Sequence, residues 1–347
     1  MNLESLIHRI WYRPRVSAYA VLLWPLSLVF SLLASVNLLL FKLKIKPSIR
    51  LPVPVVVVGN ITAGGTGKTP LTIALSRSLS ALGWRVGIIS RGYGRSDDGE
   101  QALEVQLDSL PAEVGDEPLL MRRSLTDVPV FVARRRAEAG RALLAAYPAV
   151  DIFLCDDGLQ HYALQRDFEV CVIDGARGLG NGLRLPAGPL RESIRRLKSV
   201  NAVVINGVLP ERTELASSIG QYIDGYGSSY QMTLQAEHCY RLNDPGQTRS
   251  AADFTEPLHA VVGIGNPRRF FNTLSGLGFC FSEHVFPDHH AFELADLPPL
   301  GEIIVTEKDA VKLAALNLGA ASDRIWVLPI KAVLSPDLAQ RIDHYLK

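Results

Sequence analysis

The sequence predicts an α/β fold: a P-loop NTPase-like parallel sheet with helices on both faces, a second, smaller α/β subdomain, and an N-terminal hydrophobic membrane-anchoring helix. Three observations predict it. Val55-Val-Val-Val58 leads through a glycine-rich turn, Thr62-Ala-Gly-Gly-Thr-Gly-Lys-Thr69, into residues 71–79, whose apolar positions recur at helical spacing. Further apolar runs alternate with helical stretches downstream, the pattern of strands covered on both faces. Residues 16–41 carry no charged side chain, a length that can cross a bilayer.

With 347 residues the chain can bury a large core and make two domains. The expected partition is 1–50 for the membrane-associated helix and basic linker, 51–210 for the P-loop core, 211–255 for a boundary region, and 256–347 for the smaller subdomain. The 36 basic and 35 acidic residues set up no global attraction to nucleic acid, so an anionic partner is met by local clusters. Cysteines 155, 171, 239 and 280 lack ligand spacing, which suits reduced thiols in a cytosolic protein.

In the first stretch, Ser27, Ser31 and Ser35 recur every four residues and share one helix face, leaving the other to Leu, Val and Phe. Arg9, Arg13 and Arg15 precede the apolar run, and Lys42, Lys44, Lys46 and Arg50 follow it, so the flanks give no orientation bias. The run is too long for a signal peptide, and a nucleotide loop follows it closely. Pro25 and the serine face favour a monotopic helix lying in the interface over a single span.

In the glycine-rich turn, glycines 64 and 65 supply permissive dihedrals, and with Gly67 they let N–H groups face a phosphate at the helix's positive end. Residues Thr62, Ala63, Gly64, Gly65, Thr66, Gly67, Lys68 and Thr69 are the expected nucleotide cradle, with Lys68 on the β- and γ-phosphates and the Thr69 hydroxyl on magnesium. The strict motif has glycine where this chain has Thr62.

Residues 83–90 read as a second strand that runs into Arg91-Gly-Tyr-Gly-Arg95, at the end of the sheet where ligands gather. Arg91 and Arg95 fit anion contacts and a solvated turn equally well. Asp116 fits a helix N-cap, which its spacing favours, or a carboxylate that accepts a proton from an attacking hydroxyl. The apolar run 150–155 ends in Asp156-Asp-Gly158. Adjacent side chains on a strand project oppositely, so one of Asp156 and Asp157 faces the metal and the other a turn or the substrate. Gln160 and His161 follow, the histidine read as structural.

Strands at 169–173 and 202–205 bracket a Pro/Gly loop, 181–192, long enough to wrap a ligand, and a short basic helix at 195–198. A composition shift from 209 to 255 marks the boundary. Beyond it, a strand at 258–264, a helix at 268–277 and a strand-turn-helix at 302–312 make the second unit. His289 and His290 lack a third ligand and do not make a metal site.

These stretches together resemble the tetraacyldisaccharide 4'-kinase family of lipid A biosynthesis. The resemblance rests on the P-loop with Thr62 included, Ser90-Arg-Gly-Tyr-Gly-Arg95, Gly115-Asp-Glu-Pro118, Asp156-Asp-Gly-Leu-Gln-His161, Leu185-Pro-Ala-Gly-Pro-Leu-Arg-Glu192, Asp288-His289 and Thr306-Glu-Lys-Asp-Ala-Val-Lys312. It implies a membrane-associated kinase, dependent on ATP and Mg2+, that phosphorylates the 4' hydroxyl of an acylated glucosamine disaccharide 1-phosphate to give lipid IVA. It implies two α/β/α subdomains joined by a two-stranded link, on the cytosolic face of the inner membrane, with a lipid substrate and no nucleic acid or obligate protein partner. Carried onto this chain, Asp116 becomes the base, supported by His289, while Lys68 neutralises charge and Asp156 and Asp157 serve magnesium. His161, Arg191 and Glu192 join Arg91, Tyr93 and Arg95 in the active-site shell. The rival reading is a membrane-tethered P-loop switch or ATPase that binds a protein partner and hydrolyses nucleotide without a small acceptor; against its GTPase form, the Asn-Lys-x-Asp guanine signature is missing, since Thr306-Glu-Lys-Asp309 sets Lys and Asp side by side.

Overall fold

The computed structural model describes residues 7, 9–13, 16–95, 101–208, 228–254, 257–335 and 337–347. Helix α1 (Ala18–Lys42) starts at Ser17, whose hydroxyl accepts from the Ala20 N–H at 3.2 Å, and it continues through Pro25. Its serine face docks on the body of the protein at Ser27 and Ser31, while Ser35 stays exposed and donates to the Ser31 carbonyl. Ser27 is buried, donating to the Arg184 carbonyl at 2.9 Å and accepting from the Ala187 N–H at 3.0 Å. The opposite face leaves Leu22, Leu32 and Leu33 exposed, as the serine spacing predicts.

The chain then forms β1 (Val55–Gly59), α2 (Lys68–Ala81), β2 (Val86–Ser90), β3 (Leu103–Glu104), α3 (Pro111–Val114), α4 (Asp116–Ser124), β4 (Val130–Val132), α5 (Arg136–Ala146), β5 (Ile152–Asp156), β6 (Phe168–Asp174), β7 (Ala202–Asn206) and β8 (Ser228–Ala236). A second unit follows with β9 (Cys239–Arg241), β10 (Asp244–Arg249), β11 (Leu258–Val262), α6 (Pro267–Gly276), β12 (Ser282–Val285), β13 (Glu302–Thr306), α7 (Glu307–Leu313) and β14 (Ile325–Leu328). The last elements are β15 (Ile330–Leu334) and α8 (Asp337–Leu346).

The first sheet has nine strands in the order β15-β8-β7-β6-β1-β5-β2-β4-β3, parallel except for its two edge strands. β1 and β5 are buried along their whole length, and for that reason they read as unbroken apolar runs. Alternate valines feed two cores: Val56 and Val58 join Leu71, Leu75 and Leu79 of α2, while Val55 and Val57 join Ala137 and Leu143 of α5. The second sheet has six strands in the order β10-β9-β14-β13-β11-β12, four of them parallel, with an antiparallel hairpin at one edge.

The strands divide the chain differently from the expected partition. The second sheet begins at Cys239, so β9 and β10 fall within 211–255, where a short hairpin leaves little periodicity to read. Residues 330–346, expected in the smaller subdomain, return to the first unit: β15 pairs with β8, and Leu338, Ala339 and Ile342 join the Leu71–Leu75–Leu79 core. The chain therefore passes between units twice, at Glu237 and Pro329, whose N–H and carbonyl meet at 3.1 Å. That pair of passages is the two-stranded link the resemblance implied. The second strand starts at Val86 because 82–85 complete the turn after α2, and the basic helix is a 3-10 turn, Ile194–Ser199. Residues 209–227 and 255–256 of the boundary region, and Arg15 of the basic flank, lie outside the described residues.

Candidate active site

Two asparagines hold the turn between β1 and α2. Asn60 donates to Thr66 Oγ1 at 3.2 Å, and Asn206, at the end of β7, donates to the Thr66 carbonyl at 2.9 Å. Gly67 has φ +94°, and a Cβ there would lie 2.3 Å from Asn206 Nδ2, so the position excludes every other residue type without movement of Asn206. Thr62 pairs in an antiparallel bridge with Leu190. The left-handed backbone of the turn falls to Gly64 and Gly67 and not to Gly65, which explains why threonine is tolerated at 62. Ala63 is occupied on its main chain, its N–H donating to the Pro189 carbonyl at 2.7 Å.

Lys68 opens α2 with its ammonium 3.6 Å from Asp157, and Thr69 beside it is buried. The two aspartates part company at the end of β5. Asp156 is buried; one carboxylate oxygen accepts from Thr72 at 3.1 Å and the other has no hydrogen-bond partner in the protein. Burial, with Glu117 and Asp157 adding to it against Lys68, pushes its pKa up to about 7. Asp157 adopts φ +44°, which turns its carboxylate to Lys68 and to Arg191, 3.4 Å away. Burial alone would raise its pKa, but Lys68, Arg191 and Arg136 together hold it below the ordinary value.

Asp116 opens α4 after Gly115, whose φ of +90° and close approach to the Tyr93 carbonyl need glycine. One Asp116 oxygen accepts from the Glu117 N–H at 2.9 Å; the other faces His289 Nδ1 at 3.0 Å, across the gap between the two units. Burial works to raise the Asp116 pKa, yet the His289 hydrogen bond and Lys308 bring it below the usual range. For His289 the Asp116 bond outweighs burial and Lys308, and its pKa rises. The Tyr93 ring lies 4.9 Å from the His289 ring.

These groups line one cleft of about 1090 Å³ between the units, together with Arg91, His161, Arg191 and Glu192. Thr62, Ala63 and Arg95 are not among its lining residues. The Arg95 side chain packs against Gly92 at the turn of its own loop, so of the two arginines read as anion contacts only Arg91 reaches the cleft. His161 accepts from Arg136 at 3.2 Å; burial first, then Arg136, Arg166 and Arg91, push its pKa down to about 3, so it stays neutral. Glu192 takes hydrogen bonds from Gln160, at 2.9 Å, and from Tyr162. Phe30, Ala34 and Asn37 of α1 also line the cleft.

Sequence reading missed Asn60, Asn206, Glu117 and Lys308. Asn206 had a signal, a polar residue at the carboxyl end of an apolar strand. Glu117 and Lys308 stand in two of the stretches that carry the resemblance, but no spacing gives either a role, since Lys308's partners Glu117 and Asp288 are remote from it in the chain.

A family model described as tetraacyldisaccharide-1-P 4'-kinase matches residues 19–347. Two relatives named tetraacyldisaccharide 4'-kinase are 49% identical over 99% of this chain and 98% of theirs (Chromobacterium violaceum), and 48% identical over 98% of this chain and 97% of theirs (Dechloromonas aromatica). The crystal structure of "apo" form LpxK from Aquifex aeolicus in complex with ATP is 26% identical, superposes with a TM-score of 0.76, and covers 95% of this chain and 100% of its own.

Proposed function

The chain belongs to the tetraacyldisaccharide-1-P 4'-kinase family, and from that premise we propose how its residues divide the work of phosphoryl transfer. The protein is an ATP-dependent kinase that transfers the γ-phosphate of ATP to the 4' hydroxyl of tetraacyldisaccharide 1-phosphate, forming lipid IVA in lipid A biosynthesis. The main-chain amides of residues 64–69 and the Lys68 ammonium hold the β- and γ-phosphates at the start of α2. Asp116 takes the 4' hydroxyl proton as the oxygen attacks the γ-phosphorus; the bond from that phosphorus to the β,γ-bridging oxygen breaks, and its electron pair leaves on ADP. His289 orients the Asp116 carboxylate and stabilises it. Arg91 and Arg191 lie where they can meet phosphate oxygens, while His161 and Glu192 position Arg136, Gln160 and Tyr162.

Magnesium suits this donor set, because Asp156, which lines the same cleft as Thr69 and Asp157, keeps a buried oxygen without a protein partner. Asp156 and Thr69 would hold the ion, with Asp157 adjacent and paired to Lys68. Bound there, it would neutralise charge on the transferring phosphoryl group.

The exposed apolar face of α1 favours membrane association. We place α1 in the cytosolic leaflet of the inner membrane as a monotopic helix, with Lys42, Lys44 and Lys46 at anionic headgroups. Because α1 also lines the cleft, a lipid sugar reaches Asp116 while its acyl chains stay in the leaflet.

The contact that carries the assignment of the base is the 3.0 Å approach of His289 to Asp116 in the cleft that also holds the P-loop. Transfer of labelled γ-phosphate to the disaccharide in detergent micelles tests it: an Asp116→Ala variant with normal turnover removes the base. Pelleting with membranes, compared with a chain lacking residues 1–41, tests the anchor; unchanged membrane association of the truncated enzyme would reject it.

A further inference from the structure

The second unit reaches the phosphate-binding turn through α6. The first turn of that helix sends Arg268 to solvent, while Phe270, Phe271 and Leu274 are buried in the second core and fix the helix in place. Arg269, between them, crosses to the first unit. One guanidinium nitrogen donates to Asn206 Oδ1 at 2.7 Å, and another lies 3.6 Å from the Asp174 carboxylate. These two acceptors are register partners at the carboxyl ends of β7 and β6, both buried, so a single fork spans two strands. The other Asp174 oxygen is occupied by the N–H groups of Ala176 and Arg177, at 2.9 and 3.1 Å. The turn before α6 also lies on the P-loop: a Cβ at Gly265 would come within 3.4 Å of the Gly65 nitrogen. No role assigned above uses Arg269.

A guanidinium only donates, so its bond to Asn206 fixes which way that amide points: Oδ1 faces Arg269, and Nδ2 is left to donate to the Thr66 carbonyl at 2.9 Å. The reversed amide would set donor against donor and oxygen against oxygen. Nδ2 is also the atom wedged against Gly67, 2.3 Å from where a Cβ would stand, so the amide's position sets the left-handed step into Lys68. We infer that Arg269 is a positioning residue for the phosphate-binding turn: supplied by the second unit, it orients Asn206, and Asn206 holds Thr66 and Gly67 in the shape that grips nucleotide. This assignment rests on the reading of residues 64–69 as the nucleotide cradle. It makes the grip on ATP depend on contact between the units, although every amide of the cradle belongs to the first. An ion pair that only joined the units would, when lost, loosen the acceptor end as well, because Asp116 and His289 meet across the same gap.

The test is steady-state phosphoryl transfer from ATP to the lipid disaccharide by the full-length enzyme, with calorimetric titration of ATP alongside. Arg269→Met should raise both the KM and the Kd for ATP about tenfold, the scale of one lost hydrogen bond, and leave the KM for the disaccharide within about twofold of wild type. Arg269→Lys keeps the charge opposite Asp174 but lacks the fork, so it should fold and still bind ATP about threefold more weakly. It serves alone should Arg269→Met not fold. In an Asn206→Ala background, itself weak for ATP, Arg269→Met should add less than about twofold further, because the arginine acts through the asparagine. Wild-type ATP affinity in Arg269→Met or Arg269→Lys, equal losses for ATP and acceptor, or fully additive losses in the double variant overturn the inference. Lys68→Ala separates this from the underlying reading: full ATP binding there removes the cradle, whereas weak binding there with unmoved affinity in Arg269→Met removes only the role of Arg269.

Discussion

At the nucleotide end of the cleft the ligand-facing groups come from one sheet, held by main-chain geometry and by Asn60 and Asn206; at the acceptor end five ionisable side chains from two units hold one another. Asp116 and His289 stand 173 residues apart in the chain. The first arrangement is built within one unit, and the second unit touches it through Arg269, which donates to Asn206 at 2.7 Å. The second arrangement exists only where the units touch, and its charge state sets its strength. On the proposed roles, nucleotide grip and proton abstraction are assigned to different ends of the same cleft.

Lys68→Ala strikes the nucleotide end hardest, with an expected fall of roughly 10⁴-fold in kcat, the scale for removing a cation from a transferring phosphoryl group. Single-turnover transfer of labelled phosphate measures it, and a fall below tenfold would deny the nucleotide end its dominance. Asp116→Asn should cost about 10³-fold in turnover while ATP affinity by calorimetry stays as in wild type. Equal losses in both would dissolve the division between the ends. Gly67→Ala should destabilise the protein by about 1–3 kcal/mol in urea unfolding and weaken ATP binding, since the new Cβ meets Asn206 in a left-handed backbone.

A finer contrast comes from His161, neutral in the fold with its pKa pushed down to about 3 by burial and the neighbouring arginines. Unfolding lets it bind a proton near pH 6.5, the free-histidine value. Its stabilising contribution is therefore full above that pH and is lost as pH falls toward 3. Thermal melting of wild type against His161→Gln should show the wild type losing relative stability over that window. The acid limb of kcat/KM should stay put in the same variant, because His161 belongs to neither proton-transfer partner. The smallest effect expected is for Ser27→Ala, about 1 kcal/mol from one buried hydrogen-bond pair, read as looser α1 docking by protease protection.

The nucleotide end is legible in the sequence because a strand, a turn and a helix start follow one another without a break, and their physics is local. The serine face of α1 is legible for the same reason: four-residue spacing decides which side docks. Asp116 is not, since a carboxylate after glycine suits a cap as well as a base; only the resemblance assigned it, and only the fold puts His289 beside it. Glu117 and Lys308 stand in stretches that carry the resemblance, but their meeting escapes the sequence because it depends on how α7 lies against α4, which no spacing encodes. The same limit misplaced β15 and α8. Their own pattern is ordinary, and what assigns them to the first core is pairing with a strand nearly a hundred residues earlier.

That return has a consequence for synthesis. The second unit is spliced into the middle of the first, so the P-loop helix waits for its neighbour α8 until the whole insertion has left the ribosome. Until then Leu71, Leu75 and Leu79 lack the cover of Leu338 and Ile342, and the nascent sheet lacks its β15 edge. A newborn chain therefore carries an exposed apolar helix and an unfinished apolar patch at the same time. Both have to be kept from other chains until the last helix arrives.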